Sequence, residues 1–343
     1  MTARATPEAI RSIMRRPHIK PDDKLNIITF CTHERYEQQL CKTGHNFYSV
    51  RHGKQWDTDY GDVPDNYHVV DVPPAHVDID LILCHTACER LNISKRMRAD
   101  LNVPVLLHTH VLPDIRGDAP LQVDQFQQVT QDIDKRTFIS DFNRNAWGCD
   151  QSSAEYIEHG MDFDFWNNVE AAPRDNVCLS VVNDWPNRDW CCGWELWKQT
   201  SGLGTPQQLP LRVFGKSPGL SEPAKSIEHL RQVYHSSKIF YNTSLHSPVP
   251  TVLMEAMACG CAVVSTSTCM IPEIIEHGKN GMISNDPNKL RKFLEELLQN
   301  DDMAKELGEN AKRTISEKYN LNSFVTKWND VFYSTIKNYK ESK

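Results

Sequence analysis

One carboxylate, Glu255, stands in the apolar run "HSPVPTVLMEAMACGCAVVSTS" at residues 246–267. A charge turned toward a core costs on the order of several kcal/mol after relaxation, so Glu255 needs partners from the fold or from a ligand. Val249 precedes a proline and is pushed toward extended backbone. Pro250 suits the first turn of a helix, where its missing N–H is not needed. The amides of Thr251, Val252 and Leu253 then have no intrahelical partners, which makes the helix mouth an anion site. Glu255 lies one turn deeper, ~6 Å along the axis. There it can accept hydrogen bonds from the hydroxyls of a ligand whose phosphate sits at the mouth, each worth roughly 1.5–3 kcal/mol. The opposing reading is structural, with Glu255 pairing with a core arginine or capping a loop. Geometry alone does not separate the two.

His108 and His110 are two apart in "VPVLLHTHV" and share one face of a strand. No carboxylate or cysteine pattern accompanies them, so no metal site is expected. His85 follows "DLILC" at another strand end. His33, Glu34, Arg35 and Tyr36 come just after the first strand and either shape an acceptor site or form a surface loop. Lys95, Arg96 and Arg98 lie close together, and Arg35, Tyr36, Lys54 and Trp56 add further cations near aromatics. Such mixtures suit phosphates and bases, although a charge run is more often a solvated face.

These residues need a scaffold, and the segments around them alternate between strand-like and helical patterns, which argues for α/β architecture. "LNIITF", "DIDLILCH", "VPVLLHTHV" and "RTFISDF" read as buried strands, with another after Gly44. A second series follows the break at "EYIEHGMDFDFWNNVEAAPRDN": "VCLSVVN", "LRVFG", "SKIFYNTS", "CAVVSTS" and "GMIS". The expected organisation is a tail at 1–24, a first domain at 25–168 and a second at 169–320. A C-terminal helix at about 321–343 packs back on the first domain. Both domains are doubly wound, with the site in the cleft between them, beyond the carboxyl ends of the strands. Asp286–Pro287 starts a helix with the stripe Leu290, Phe293, Leu294, Leu297 and Leu298. Phe324, Val325, Trp328, Val331 and Phe332 form another stripe in the last helix.

The 343 residues suffice for two cores, and 39% hydrophobic with 24% charged residues fits a globular chain. No apolar run is long enough to span a membrane, and the N-terminus has no signal-peptide pattern. The net charge of −7 gives no global pull toward nucleic acid. Eleven scattered cysteines without a CxxC pair read as buried reduced thiols in a cytoplasmic protein.

The stretch 246–267, followed by "IPEIIEHGKNGMIS" and "LRKFLEELLQNDDMAKELGENAKR", resembles the donor-binding domain of the retaining GT-B glycosyltransferases of family 4. "EYIEHGMDFDFW" resembles the segment closing the first domain of that family, with Gly160 and Asp162 matching. The resemblance implies that Glu255 holds the ribose and that the amides of Thr251 and Val252 hold the distal phosphate. Ser244 and Pro250 border that loop, and Gly215 borders the base. His110 stands where the family has a histidine on the sugar. Three departures stand out. Ser247 replaces a glutamate that usually touches the sugar. Cys192 replaces a lysine before Gly193, leaving Arg188 for the diphosphate. The segment 215–236 is short, so the nucleotide is unreadable.

The resemblance implies a metal-independent, retaining hexosyl- or pentosyltransferase. Its co-substrate is a nucleoside-diphosphate sugar, and it needs no further cofactor. The acceptor is a small molecule, a glycan or a nucleic acid, for instance a hydroxymethylated DNA base of the phage type, which would have to be flipped out. The alternatives are a nucleotide-sugar epimerase or hydrolase on the same fold, or a catalytically silent binding protein. Glu255→Ala is expected to raise the donor KM with little loss of stability.

Overall fold

The computed structural model describes residues 23–52, 54–58, 61–85, 89–113, 122–152, 154–169 and 172–343. The expected N-terminal tail, except for its last two residues, lies outside them, as does Cys88. The chain forms two compact units. The first comprises Met1–Phe138, Trp147–Ile157 and Val325–Lys343, and the second Ile139–Ala146 and Glu158–Phe324.

The first unit holds β1 (Asn26–Thr29), β2 (Asn46–Val50), β3 (Tyr67–Val70), β4 (Leu81–His85), β5 (Val105–Thr109), β6 (Lys135–Phe138) and β7 (Glu155–Tyr156). Their order is β3-β2-β1-β4-β5-β6-β7, and every pairing is parallel. Helices α1 (Glu34–Cys41), α2 (Glu89–Leu101) and α3 (Val123–Thr130) connect them. β4 and β5 are buried at every position, as parallel strands covered on both faces must be. Ile28, Phe30, Ile82, Val105, Leu107, Phe126 and Phe138 lie in its core. The strand order reverses between β1 and β4. That reversal is the switch point beyond which ligands bind in open α/β sheets.

"RTFISDF" is a strand only as far as Phe138. The side chain of Ser140 accepts from the Asn143 amide at 3.0 Å, which caps α4 (Asp141–Ala146) and ends the extended chain. In the second unit, β8 (Asp175–Val181), β9 (Leu211–Phe214), β10 (Ser237–Asn242), β11 (Ala262–Ser265) and β12 (Met282–Ile283) run in the order β12-β11-β10-β8-β9. All are parallel. The helices are α5 (Phe163–Asn167), α6 (Asp189–Cys192), α7 (Trp194–Ser201), α8 (Ile227–Ser236), α9 (Thr251–Ala258), α10 (Ile271–Ile274), α11 (Pro287–Gln299) and α12 (Asp301–Lys318). Here the order reverses between β8 and β10.

Local chemistry explains these boundaries. Asp162 caps α5 by accepting from the Phe165 amide at 3.0 Å. Asp286 caps α11 by accepting from the Asn288 amide at 2.8 Å. The α11 stripe then buries Leu290, Leu294 and Leu297 completely. The last helix, α13 (Leu321–Glu341), belongs to the first unit from Val325 on. In that unit Trp328 lies 4.9 Å from the His108 ring and Phe332 lies 5.6 Å from the His45 ring, centroid to centroid. No disulfide joins the described cysteines, and all but Cys192 and Cys269 are buried. No helix among the described residues is long and apolar enough to cross a membrane.

Candidate functional site

At the switch point of the second unit, the loop after β8 meets the loop after β10. The Cys191 carbonyl accepts from the amides of Leu245 at 2.8 Å and His246 at 3.2 Å. The Cys192 carbonyl accepts from Thr243 Oγ1 and Trp185 Nε1, both at 2.9 Å. Gly193 turns the chain between α6 and α7 with φ 63° and ψ 48°, the left-handed region that glycine enters without penalty. A Cβ there would stand 2.2 Å from the Thr243 carbonyl oxygen, so this close approach requires glycine. Gly215 is held equally tightly, since a Cβ would stand 2.2 Å from the Val182 carbonyl oxygen.

The cation expected in this loop stays within it. Arg188 is exposed, and its Nη1 donates to the Asn183 carbonyl at 3.3 Å. Cys192 Sγ lies 3.5 Å from Cys191 Sγ. That contact, with burial, pushes the Cys192 thiol far above its ordinary range. The position therefore carries no charge in neutral solution.

α9 follows directly on this loop. Pro250 is its N-cap, with φ −75° and ψ 100°, one position earlier than the first-turn placement the sequence implied. The reason is that Pro250 keeps the extended backbone while its carbonyl already accepts from the Leu253 amide at 3.0 Å. Among the described residues the amides of Thr251 and Val252 make no hydrogen bond. Ser244 is buried, and its Oγ donates to Asn242 Oδ1 at 2.8 Å. Ser247 is half-buried in the same loop. Glu255 is only 2% exposed, and it accepts from Tyr234 Oη of α8 at 2.9 Å. One partner in the fold is thus a fully buried tyrosine, Tyr234. Tyr234 escaped the sequence reading. Its one signal is its place on the inward stripe Leu230, Val233, Tyr234 of α8.

The first unit gathers the histidines. His110 lies one residue past β5, its Nε2 2.7 Å from His85 Nδ1. Tyr36 Oη lies 2.9 Å from His108 Nε2, and His108 Nδ1 lies 2.9 Å from Thr137 Oγ1. The rings of His108 and His110 meet edge-on, 4.5 Å between centroids, as residues on one strand face should. Behind His85 stands Glu37, completely buried, its Oε1 3.5 Å from His85 Nε2. Burial pushes the Glu37 carboxyl up to about 8, against the pull of the Thr32 backbone and Arg90. Burial holds His85 down at about 3, with Arg90 adding to the effect. Glu37 was missed, although "ERYEQQLC" sets it on the inward face with Tyr36, Leu40 and Cys41. Among the described residues no three His, Cys, Asp or Glu side chains are placed to hold one metal ion.

The residues assigned to the acceptor side divide. His33 is exposed and Arg35 half-buried. Glu34 and Tyr36 are 2% and 3% exposed and face inward. Glu34 accepts from Lys54 Nζ at 2.6 Å and from the Asp57 amide at 3.1 Å. Of the basic cluster, Lys95 pairs with Asp132 at 2.6 Å. Arg98 holds both oxygens of Asp134, at 2.8 and 2.6 Å.

Residues 223–314 match the family model described as glycosyl transferases group 1. Solved structures align over nearly the whole chain. Anabaena HepE in complex with UDP superposes with a TM-score of 0.70 at 14% identity, covering 91% of this chain and 100% of that one. Sucrose-phosphate synthase from Thermosynechococcus elongatus gives a TM-score of 0.71 at 13% identity, covering 92% and 100%. The chain has the GT-B fold, and the stretch similar to glycosyl transferases group 1 lies in its second unit. Among curated proteins, N-acetyl-alpha-D-glucosaminyl L-malate synthase of Bacillus anthracis is 29% identical over 94 residues, 27% of this chain and 25% of that protein. Alpha-maltose-1-phosphate synthase of Mycolicibacterium smegmatis is 25% identical over 120 residues, 33% of this chain and 29% of that protein. The chain thus matches about a quarter of the length of these curated relatives. The group 1 segment of this GT-B chain contains Tyr234, Thr251, Val252 and Glu255. It excludes Arg188, Gly193 and the histidines of the first unit.

Proposed function

We propose that the chain transfers a hexosyl or pentosyl group, with retention and without a metal, from a nucleoside-diphosphate sugar to an acceptor hydroxyl. One observation carries this reading. The mouth of α9 presents two amides that have no partner among the described residues, in the loop after a strand at the switch point and one turn ahead of a buried carboxylate. In this reading Thr251 and Val252 bind the distal phosphate through their amides and the positive end of the helix dipole. Glu255 takes the ribose hydroxyls, Gly193 and Gly215 let backbone come close, and Ser244, Ser247 and Pro250 border the donor. His110 takes the role on the sugar that the family resemblance implies. Arg188 reaches the diphosphate only by leaving the Asn183 carbonyl. The bond from the anomeric carbon to the diphosphate breaks as the acceptor oxygen bonds to that carbon on the same face. The acceptor proton passes to the leaving phosphate oxygen.

Uridine donors come first for testing, because a neighbour of the same fold, Anabaena HepE, has been solved with UDP and with UDP-glucose. For the acceptor, the pairing of Lys95 and Arg98 with aspartates favours a small molecule or glycan over a DNA base. A second reading has its own support. Cys192 is uncharged, Ser247 stands in place of a glutamate and Arg188 stays on its own loop, all of which suit a silent nucleotide-sugar binder.

A thermal-shift panel of UDP, GDP, ADP and CMP sugars tests binding, since a ligand selective for the native state raises the melting temperature. Product analysis with glycan, small-molecule and hydroxymethylated-DNA acceptors tests turnover. A shift without turnover favours the silent binder, and products formed without acceptor favour the hydrolase or epimerase. A flat panel sinks the proposal.

A further inference from the structure

We propose that Cys191 and Cys192 form a chelating site for a thiophilic trivalent centre of the arsenic(III) type, which brings its own third substituent and takes the two sulfurs as its other ligands. Occupancy of this site works against nucleotide binding at the same loop. That second half rests on the proposed donor site, whereas the chelation does not.

Adjacent residues of a helix do not ordinarily face each other, yet the sulfurs of Cys191 and Cys192 stand 3.5 Å apart at the end of α6. Taking about 2.3 Å for a bond from a soft centre to sulfur, as zinc has, one central atom spans that gap at an angle of roughly 100°. Such an angle suits a pyramidal three-coordinate centre. It is narrower than tetrahedral and far from the linear arrangement of two-coordinate copper(I). Soft sulfur ligands select soft ions. Zinc would need further ligands, and among the described residues no third His, Cys, Asp or Glu side chain joins the pair to hold a metal ion. An arsenic(III) compound with one organic substituent needs only two protein ligands. A disulfide fits less well, because disulfides usually join Cα atoms about 4.4–6.8 Å apart and adjacent ones are about 3.8 Å apart.

With an aryl arsenic(III) oxide the step balances without an oxidant. Two arsenic–sulfur bonds form, the arsenic–oxygen bond breaks, both sulfur protons leave with the oxygen as water, and arsenic stays trivalent. Cys192 is partly exposed and gives access, and the buried Cys191 closes the chelate. Cys191 Sγ also donates to the Arg188 carbonyl at 3.5 Å, a weak bond that the chelate replaces. The Cys191 contact and burial keep the Cys192 thiol protonated. That slows reagents that need a single thiolate and leaves the advantage to one that takes both sulfurs. Cys259 and Cys261 offer no rival site, since both are completely buried with Sγ donating to the Trp166 and Tyr234 carbonyls at 3.3 and 3.1 Å. The carbonyls of Cys191 and Cys192 hold Leu245, His246, Thr243 and Trp185, so a substituted arsenic there stands beside the loop that leads into α9.

The test uses the full chain, reduced, with phenylarsine oxide as the probe. One equivalent is expected to stay bound through washing with a monothiol and to leave with dimercaptopropanol, and peptide mass mapping should place it on Cys191 and Cys192. Cys191→Ser and Cys192→Ser each remove one arm of the chelate, which should weaken binding by about 10²- to 10⁴-fold. Cys269→Ser, at the other partly exposed cysteine described, should bind as the parent does. A folded parent that retains no probe against the monothiol overturns the proposal. So does a folded Cys192→Ser protein that binds as tightly as the parent, or an adduct that maps to other cysteines. If Cys191→Ser does not fold, Cys192→Ser decides alone. Calorimetry with UDP, with and without one equivalent of probe, reads the second half. Loss of UDP binding in the parent but not in Cys192→Ser is expected, and unchanged affinity in the treated parent overturns that half. A parent that takes the probe but never binds UDP refutes the donor reading and the second half with it, while the chelating site stands.

Discussion

Glu255 has two claims on it, and paired variants separate them. Its carboxylate is 2% exposed and accepts from Tyr234 Oη at 2.9 Å. Glu255→Ala therefore opens a cavity and leaves a buried hydroxyl without its acceptor. Stability should fall along with donor binding, contrary to the expectation from sequence that it would hardly change. Glu255→Gln is the sharper perturbation, because the amide oxygen still accepts from Tyr234 while the charge that ribose hydroxyls would meet is gone. A hydrogen bond to a charged group is worth about 1.5–3 kcal/mol. At 1.4 kcal/mol per tenfold, losing it should weaken UDP binding by about 10- to 150-fold. Tyr234→Phe makes the converse change, taking a donor from a buried carboxylate at a cost of about 1–3 kcal/mol. For a unit of this size that lowers the melting temperature by about 2–12 °C. Calorimetric titration with UDP, and melting curves of the two variants and their double mutant, give both the affinity and the coupling. A folded Glu255→Gln protein with unchanged UDP affinity would refute the ribose assignment. A Tyr234→Phe protein as stable as its parent would refute the view that this bond holds the carboxylate.

Gly193→Ala should destabilise by at least about 2 kcal/mol, combining a left-handed backbone with a Cβ pressed on a strand-end carbonyl. An unchanged urea midpoint contradicts that. Cys192→Lys should tighten UDP binding about threefold or more by restoring a cation beside the diphosphate, and unchanged or weaker binding in calorimetry counts against the placement of the phosphate. Glu37 holds its proton up to about 8 in the folded protein but only to about 4.3 when unfolded. The folded state binds more protons between those values, so this group makes stability fall as pH rises. His85, at about 3 when folded, works the other way below its unfolded value of about 6.5. Between pH 6.5 and 8 only the decline due to Glu37 remains of these two. Unfolding free energies from urea titrations at three pH values in that window should decline in the parent and decline less in Glu37→Gln.

The sheet plan was legible because parallel strands covered on both faces read as short apolar runs, and those of β1, β4, β5, β8, β10 and β11 all appear as such. β3 was not read as a strand. "YHVV" is half-polar with three of its four positions partly exposed, and it pairs with β2 at one edge of the sheet. β7 has two exposed residues, too few to carry any period. "RTFISDF" failed for a different reason. Its apolar pattern runs past Phe138, but the Ser140 cap redirects the backbone, and capping competes with extension at a single residue.

The two switch points differ in the material of their polar groups, and that difference decides what a sequence can reveal. In the second unit the chemistry is largely backbone: two amides at a helix mouth, and two glycines pressed on carbonyls. Backbone chemistry leaves its trace in the residues that permit it, so Pro250, Gly193 and Gly215 mark the place even at low identity. In the first unit the chemistry is carried by side chains brought together from α1, β4 and β5. His85 and His110 are 25 residues apart, and Glu37 comes from a helix that reads as ordinary. Nothing local marks that contact. A buried carboxyl that must hold a proton is evident only once its neighbours are known, because desolvation is a property of the packed unit and not of "ERYEQQLC". The buried groups packed around His85 are therefore the ones a motif cannot carry.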